Sequence, residues 1–158
     1  MAQNPLLVGI AKPKLLFSRW NGFSWGSIGY HFVSSDFHDY EMDHLWVLRH
    51  ESIQMKSCVN KSQSVMISCS IYAYDFSASF VYESNLYMRI IELWEDLKED
   101  FVHMEHKWIA LGDFNVVMKP EEKTGSNINK IAASEFFVCL DHCNLVEVPH
   151  VGDEFTWC

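Results

Sequence analysis

An acid and an amide, one residue apart, follow a short apolar run in the last third of the chain. The run spans residues 108–111, and Gly112, Asp113, Phe114 and Asn115 come directly after it. In an extended backbone, residues two apart project to the same side, so we expect Asp113 and Asn115 to lie together. A carboxylate can orient a water or support a hard cation, and an amide can hold an oxygen without adding charge. The pattern predicts chemistry on a phosphate group, although it also fits an ordinary Asp/Asn turn.

A phenol and an amide form a second candidate pair at the end of an earlier strand. We predict that strand over residues 78–82, with Tyr82 at its end and Asn85 three residues later. Both side chains can donate hydrogen bonds to phosphate oxygens. A strand edge followed by an Asn turn explains the same residues without any function, and at this point both interpretations stay open.

The elements that must position these side chains are apolar segments separated by polar turns. In one of them Ile67, Cys69 and Ile71 alternate with Met66, Ser68 and Ser70, which is typical of a half-buried strand. The predicted strands cover residues 5–10, 31–33, 45–48, 53–59, 65–74, 78–82, 108–111 and 145–148, with a turn at 75–77. Strands and helices that alternate in this way predict an α/β fold.

Two segments have the periodicity of amphipathic helices, residues 86–102 and residues 130–143. The expected apolar stripe of the first consists of Ile90, Leu93, Trp94, Leu97 and Phe101. The expected apolar face of the second consists of Ile131, Phe136, Phe137, Leu140 and Cys143. Asn144 is a suitable residue to end the second helix.

Bulk composition indicates one globular domain, or part of one. The chain has 158 residues, and 49% of them are apolar, which is enough to form a core rather than a disordered chain. No apolar run approaches the length of a membrane span, so we expect no membrane partner. The N-terminus lacks the pattern of a secretion signal, and the 5 cysteines are scattered and odd in number. We therefore expect an intracellular protein, nuclear or cytoplasmic, in a reducing compartment.

Charge is negative overall and unevenly distributed. The formal net charge is -9, which opposes strong non-specific binding to DNA because that binding depends on Lys and Arg. Residues 1–35 contain no acid, whereas residues 83–105 contain seven acids against Arg89 and Lys98. The acidic run is most simply the solvated face of the first predicted helix.

Two His and Cys clusters do not have the pattern of metal sites. His103 and His106 come at a predicted helix end, where basic residues meet the negative end of the helix dipole. Cys139 and Cys143 lack the second pair of ligands that zinc sites usually have. We assign no metal ligand to either cluster.

Three short motifs occur in a fixed order and carry a resemblance to a known family. They are Gly-Asp-Phe-Asn at 112–115, Glu-Glu-Lys-Thr-Gly at 121–125 and Phe-Thr-Trp at 155–157. The joint pattern resembles the endonuclease/exonuclease/phosphatase family, which has the DNase I-like fold. Its closest resemblance is to the endonuclease domain of plant LINE-type non-LTR retrotransposons. The resemblance implies a four-layered α/β sandwich, in which helices flank two packed mixed or antiparallel sheets, and which is incomplete at its C-terminal side.

The resemblance also implies roles for individual residues. Asp113 would orient the nucleophile, while Asn115, Asn85 and Tyr82 would hold the phosphate of a DNA substrate. The family uses Mg2+, held by a Glu that stands before a Pro at the end of an early strand. Pro13 matches that Pro, which places Lys12 where the Glu is expected. An ordinary strand-end lysine is the alternative explanation of Lys12.

The resemblance therefore predicts a fragment of a Mg2+-dependent DNA endonuclease that is weak or inactive as given. Besides Lys12, the 158 residues lack the Ser-Asp-His segment that supplies the family's general base. In intact relatives a reverse transcriptase domain follows downstream. The alternatives are a non-catalytic relic with a residual binding role, and a phosphatase of small phosphate esters with the same fold.

Overall fold

The chain divides into two compact units, and the first contains all the strands that the structure describes. The computed structural model describes residues 4–14, 24–35, 44–82, 87–119 and 129–149. One unit comprises Met1–Ser84 with Met104–Phe114, and the other comprises Asn85–His103 with Asn115–Cys158. Each unit is described separately below.

Two β-sheets form the first unit. The smaller sheet has the order β1-β3-β2 and is antiparallel, whereas the larger has the order β4-β5-β6-β7. Only the β6–β7 pairing in the larger sheet is parallel. The strands are β1 (Leu7–Ala11), β2 (Tyr30–Ser35), β3 (Leu45–His50), β4 (Gln54–Asn60), β5 (Ser64–Ile71), β6 (Tyr74–Tyr82) and β7 (Lys107–Asp113), with a short 3-10 helix at Trp25–Ile28.

The core of this unit is apolar and draws side chains from both sheets. The alternation predicted for β5 is confirmed, because Ile67 and Cys69 are buried while Ser68 between them is only half-buried. A Cβ atom at Gly9 would overlap the ring of Phe80, so the glycine permits close approach of β1 to the larger sheet. The buried cluster consists of Leu45, Val47, Ile53, Val65, Ile67, Cys69, Ala78 and Phe80.

The turn predicted at residues 75–77 is wrong, because these residues belong to β6. Ser70 pairs with Asp75 and Ser68 pairs with Ser77, so the reversal lies at Tyr72 and Ala73. Tyr72 has a φ of 53°, the left-handed conformation that a tight hairpin turn requires. Phe76 packs against the buried cluster, and this packing outweighs the turn preference of its polar neighbours.

The second unit contains both described helices, α1 (Tyr87–Val102) and α2 (Lys130–His142). The apolar stripe predicted for α1 is confirmed, since Ile90, Leu93, Trp94 and Leu97 are buried and Phe101 is half-buried. The ring of Trp94 stacks on Phe136 of α2 at a centroid distance of 4.8 Å. Neither described helix is long and apolar enough to span a membrane.

Asparagines define both ends of α2. The Asn129 side chain accepts hydrogen bonds from the backbone N–H groups of Ile131 and Ala132, which caps the N-terminus. Asn144 has a φ of 50°, and Leu145 N donates to Leu140 O at 2.9 Å, the Schellman arrangement. The predicted stop at Asn144 is therefore confirmed.

The apolar face predicted for α2 is wrong in part. Ile131 is 65% exposed and Phe137 is 63% exposed, although both were expected in the core. Phe136 and Cys143 are buried as predicted, and Ala132 and Cys139 complete the buried face at helical spacing.

The strand predicted at residues 145–148 is also wrong. Residues 145–149 have no regular secondary structure, and Val146 is 84% exposed. A strand requires a neighbour with which to exchange backbone hydrogen bonds. In the part of the chain that the structure describes, no strand pairs with this segment.

Candidate functional site

Tyr82 and Asp113 lie side by side at one edge of the larger sheet. Each is the last residue of its strand, and the β6–β7 register pairs them directly. Because β6 and β7 run parallel, their carboxyl ends meet at the same edge, where open α/β sheets bind ligands. Tyr82 is half-buried and Asp113 is exposed, so a phenol and a carboxylate are presented together to solvent.

Gly112 is the residue that allows β7 to reach Asp113. The sequence predicted that the strand would stop at Gly112, but it continues one residue further. Gly112 has a φ of 140°, and a Cβ there would overlap the carbonyl oxygen of Val81 and lie 2.8 Å from the carbonyl carbon. Only glycine fits this close approach of β7 to β6. The glycine thus keeps Asp113 beside Tyr82.

Lys12 comes to the same edge from the end of β1. The β1–β3 pairing aligns Ala11 with Leu45, and Lys12 N then donates to His44 O at 2.7 Å. Lys12 has a φ of 51°, a left-handed conformation that is uncommon for a side chain of this size. The turn brings the Lys12 Nζ atom to 5.3 Å from the centre of the Tyr82 ring.

The Lys12 ammonium interacts with both Tyr82 and Asp113. The hydrogen bond to Tyr82 is the main cause that raises the pKa of Lys12 above its usual 10.5, and the negative charge of Asp113 adds to it. Lys12 is exposed, so solvent screens these interactions. The ammonium stays protonated at neutral pH and gives the edge a fixed positive charge.

His44 is the residue of this edge that sequence reasoning missed. Its ring centroid lies 5.9 Å from that of Tyr82, and its carbonyl accepts the hydrogen bond from Lys12 N. The only available signal was that His44 stands directly before the apolar run of β3. A lone histidine at a strand start does not by itself indicate a site.

The two asparagines of the predicted site have different outcomes. Asn115 has a φ of 50°, so the extended backbone expected from Asp113 to Asn115 is wrong. Asparagine adopts this left-handed conformation more readily than most residues, which explains its place after the strand. Asn85 lies outside the residues that the structure describes.

The donor set of the Lys12 edge, defined as Lys12, Tyr82 and Asp113, does not fit Mg2+. This cation takes oxygen ligands, usually one or two carboxylates together with waters and phosphates, and a neighbouring positive charge opposes its binding. The edge offers one carboxylate, one phenol and an ammonium of like charge to the metal. Across the described ranges, no group of three or more His, Cys, Asp or Glu side chains could hold a metal.

The His and Cys clusters that we did not assign as metal sites make other contacts, through an ion pair at His106 and through burial of the two cysteines. His106 Nε2 lies 3.7 Å from Asp75 Oδ2, and the same carboxylate pairs with Lys56 Nζ at 2.6 Å. Cys139 and Cys143 are both buried, and burial is the main cause that raises the pKa of Cys139 to about 12. Burial also raises the pKa of Cys143, so both sulfurs are neutral thiols.

Comparisons with known proteins identify the fold. No family model matches the chain, and no curated protein matches it. Among solved structures, the human Nocturnin catalytic domain with bound sulfate anion is similar, with a TM-score of 0.52 and 11% sequence identity. The match covers 84% of this chain and 56% of that chain, so this chain spans little more than half of that domain. The predicted DNase I-like α/β fold is confirmed, and its partial coverage fits an incomplete domain.

Proposed function

We propose that this chain is part of a DNA endonuclease of the DNase I-like fold in which Mg2+-dependent hydrolysis is weak or lost. The observation that carries the proposal is the position of the Lys12 ammonium beside Tyr82 and Asp113. A metal-binding carboxylate is expected at Lys12 from the resemblance to retrotransposon endonucleases. An ammonium there repels a divalent cation and so removes the main source of transition-state stabilisation.

The remaining residues of the edge keep chemistry that suits a phosphodiester. The Asp113 carboxylate can accept a hydrogen bond from an attacking water and so orient it. The Tyr82 hydroxyl can donate to a phosphate oxygen. Asn115 and Asn85 are proposed as further phosphate contacts on the strength of the sequence motifs alone. Orientation of water by Asp113 alone supports only slow hydrolysis.

The assignment to a retrotransposon endonuclease is a proposal that depends on sequence motifs. The Glu-Lys-Thr-Gly and Phe-Thr-Trp motifs favour the branch of plant LINE-type retrotransposons over phosphatases of small esters. Both motifs lie outside the described residues. The same proposal implies a nuclear or cytoplasmic location, DNA as the substrate and a reverse transcriptase domain as the downstream partner in the intact element.

A solved structure with a similar fold contains a bound anion. The human Nocturnin catalytic domain was determined with a bound sulfate, which is a tetrahedral anion like phosphate. A non-catalytic chain with a residual binding role is therefore the second candidate. It is favoured by Lys12, because a fixed cation supports anion binding more readily than hydrolysis.

A plasmid-nicking assay with Mg2+ tests the proposal. The parent chain should convert supercoiled DNA to open circle no faster than Asp113→Ala. Asp141→Ala is a matched control, because it makes the same change at an exposed position on α2. Nicking that requires Mg2+, persists in Asp141→Ala and is abolished in Asp113→Ala would show an intact enzyme and refute the proposal.

A further inference from the structure

We propose that Lys12 takes the place of a divalent cation, so that the Lys12 edge binds one phosphate group without metal. The inference rests on the proposed function for the position of the expected Glu. It goes further by naming the ligand, a phosphate group of DNA or a free phosphate, and by assigning the cation's role to a side chain.

Lys12 carries the same net charge as the pair that it would replace. A Glu carboxylate with a bound Mg2+ carries one net positive charge, and a lysine ammonium carries the same charge. A change from Glu to Lys with loss of the metal therefore leaves the net charge at this point unaltered. With Asp113 included, the edge is neutral before a phosphate binds in both cases. A phosphodiester thus meets the same net charge whether the metal or Lys12 is present.

The backbone fixes the origin of the Lys12 side chain. Its left-handed φ of 51° costs free energy, and the hydrogen bond from Lys12 N to His44 O at 2.7 Å holds it. Lys14 also has a left-handed φ, of 57°, so Pro13 lies between two such residues. The lysine consequently leaves β1 toward Tyr82 rather than continuing along the strand.

Lys12 and Tyr82 both offer hydrogen-bond donors to a phosphate. A lysine ammonium has three N–H donors, and the Lys12 Nζ atom lies 5.3 Å from the centre of the Tyr82 ring. The Tyr82 hydroxyl has an O–H donor of its own. Donors from both side chains are therefore close together at an exposed edge. A phosphate has the acceptor oxygens to use both groups.

Asp113 distinguishes the proposed site from a metal site, because removal of its charge should change the phosphate affinity in opposite directions in the two cases. Its negative charge competes with a bound phosphate for the Lys12 ammonium. Removal of this charge should therefore strengthen phosphate binding. In a metal-bridged site, Asp113 would instead hold the cation, and removal of its charge would weaken phosphate binding.

Fluorescence anisotropy of a labelled DNA oligonucleotide, in EDTA and separately in Mg2+, tests the inference. The parent should bind with the same Kd in both buffers. Lys12→Met should weaken binding roughly three- to tenfold and reduce the slope of log K against log salt by about one. Lys12→Arg keeps the charge and should retain most of the affinity, while Asp113→Asn should increase affinity severalfold.

Competition identifies the source of the phosphate. Displacement of the oligonucleotide by inorganic phosphate at low millimolar concentration would assign the site to free phosphate. Retention of the oligonucleotide under that challenge would assign it to the DNA backbone. Both results support a metal-free phosphate site.

Two results would overturn the inference. One is binding that needs Mg2+ and is lost in Asp113→Asn. The other is equal affinity in the parent and Lys12→Met in EDTA. The proposed function fails separately, through Mg2+-dependent nicking by the parent. A parent that neither nicks nor binds phosphate would leave the proposed function standing and refute only this inference.

Discussion

Substitution of Gly112 by Ala should damage both the fold and the site, because no side chain fits at this position. The φ of 140° lies in a region that only glycine populates readily. A Cβ atom would stand 2.8 Å from the carbonyl carbon and 2.9 Å from the amide nitrogen of Val81, against an ordinary contact of 3.4 Å or more. Both obstacles are backbone atoms of the neighbouring strand, which no side-chain rotation can move.

The size of the effect follows from two contributions. Holding alanine at such a φ costs about 1–3 kcal/mol. Displacement of β7 by the clash would also break at least one or two hydrogen bonds of the β6–β7 ladder, each worth about 1 kcal/mol. We therefore expect Gly112→Ala to lower the free energy of unfolding by about 2–5 kcal/mol. For a chain of this length, the midpoint of thermal unfolding should fall by roughly 10 °C.

Thermal and urea unfolding followed by circular dichroism measures this loss. Gly26→Ala is the matched control, because its nearest contact is Ser24 Oγ at 3.8 Å and its φ is not positive. That variant should stay within about 0.5 kcal/mol of the parent. If Gly112→Ala and Gly26→Ala unfold at the same midpoint, the reasoning on strand contact at Gly112 is refuted.

Three further predictions concern the helix cap, the thiols and a surface carboxylate. Asn129→Ala should reduce the free energy of unfolding in urea by about 1 kcal/mol, and no change would contradict its capping role. Iodoacetamide at pH 8 should modify exposed Cys58 at least 100-fold faster than buried Cys139, whose pKa is about 12, as peptide mass spectrometry would show. The hydrogen bond from Lys56 lowers the pKa of Asp75, so its contribution to stability is present above pH 3.8 and is lost as the pH falls. Lys56→Ala should raise the pKa of Asp75 in an NMR titration, and an unchanged value would contradict that cause.

Periodic packing is the part of the fold that the sequence predicted well. The stripe of α1 from Ile90 to Leu97 and the alternation in β5 are both buried as expected. Both patterns report burial directly, because side chains repeat every 3.6 residues in a helix and every two residues in a strand. The ends of α1 were also predicted to within one residue, whereas the predicted β5 ran past Ile71 into the turn.

Segments whose local preference conflicts with long-range packing were predicted poorly. Asp75 and Ser77 favour a turn, yet Phe76 between them packs in the core and keeps the segment in β6. In α2, the large apolar residues Ile131 and Phe137 suggested the core face. The buried face instead carries smaller side chains, and the ring of Phe136 meets Trp94 of α1.

The candidate site was only partly accessible from the sequence. Tyr82 and Asp113 were identified from motifs, but their direct pairing depends on the parallel register of β6 and β7. The proximity of Lys12 to Tyr82 joins positions seventy residues apart and depends on how two sheets meet. Periodicity gives no information on such contacts, because it describes each element alone.

A titration with Mn2+, followed by electron paramagnetic resonance of the free ion, tests most directly the proposal that the Lys12 edge binds no divalent cation. The parent and Asp113→Ala should leave the same concentration of free Mn2+, because the ammonium of Lys12 opposes a cation at Asp113. Lys12→Glu is the positive control, since two carboxylates at one edge should bind additional Mn2+. Saturable binding of one Mn2+ per parent chain that disappears in Asp113→Ala would contradict this proposal.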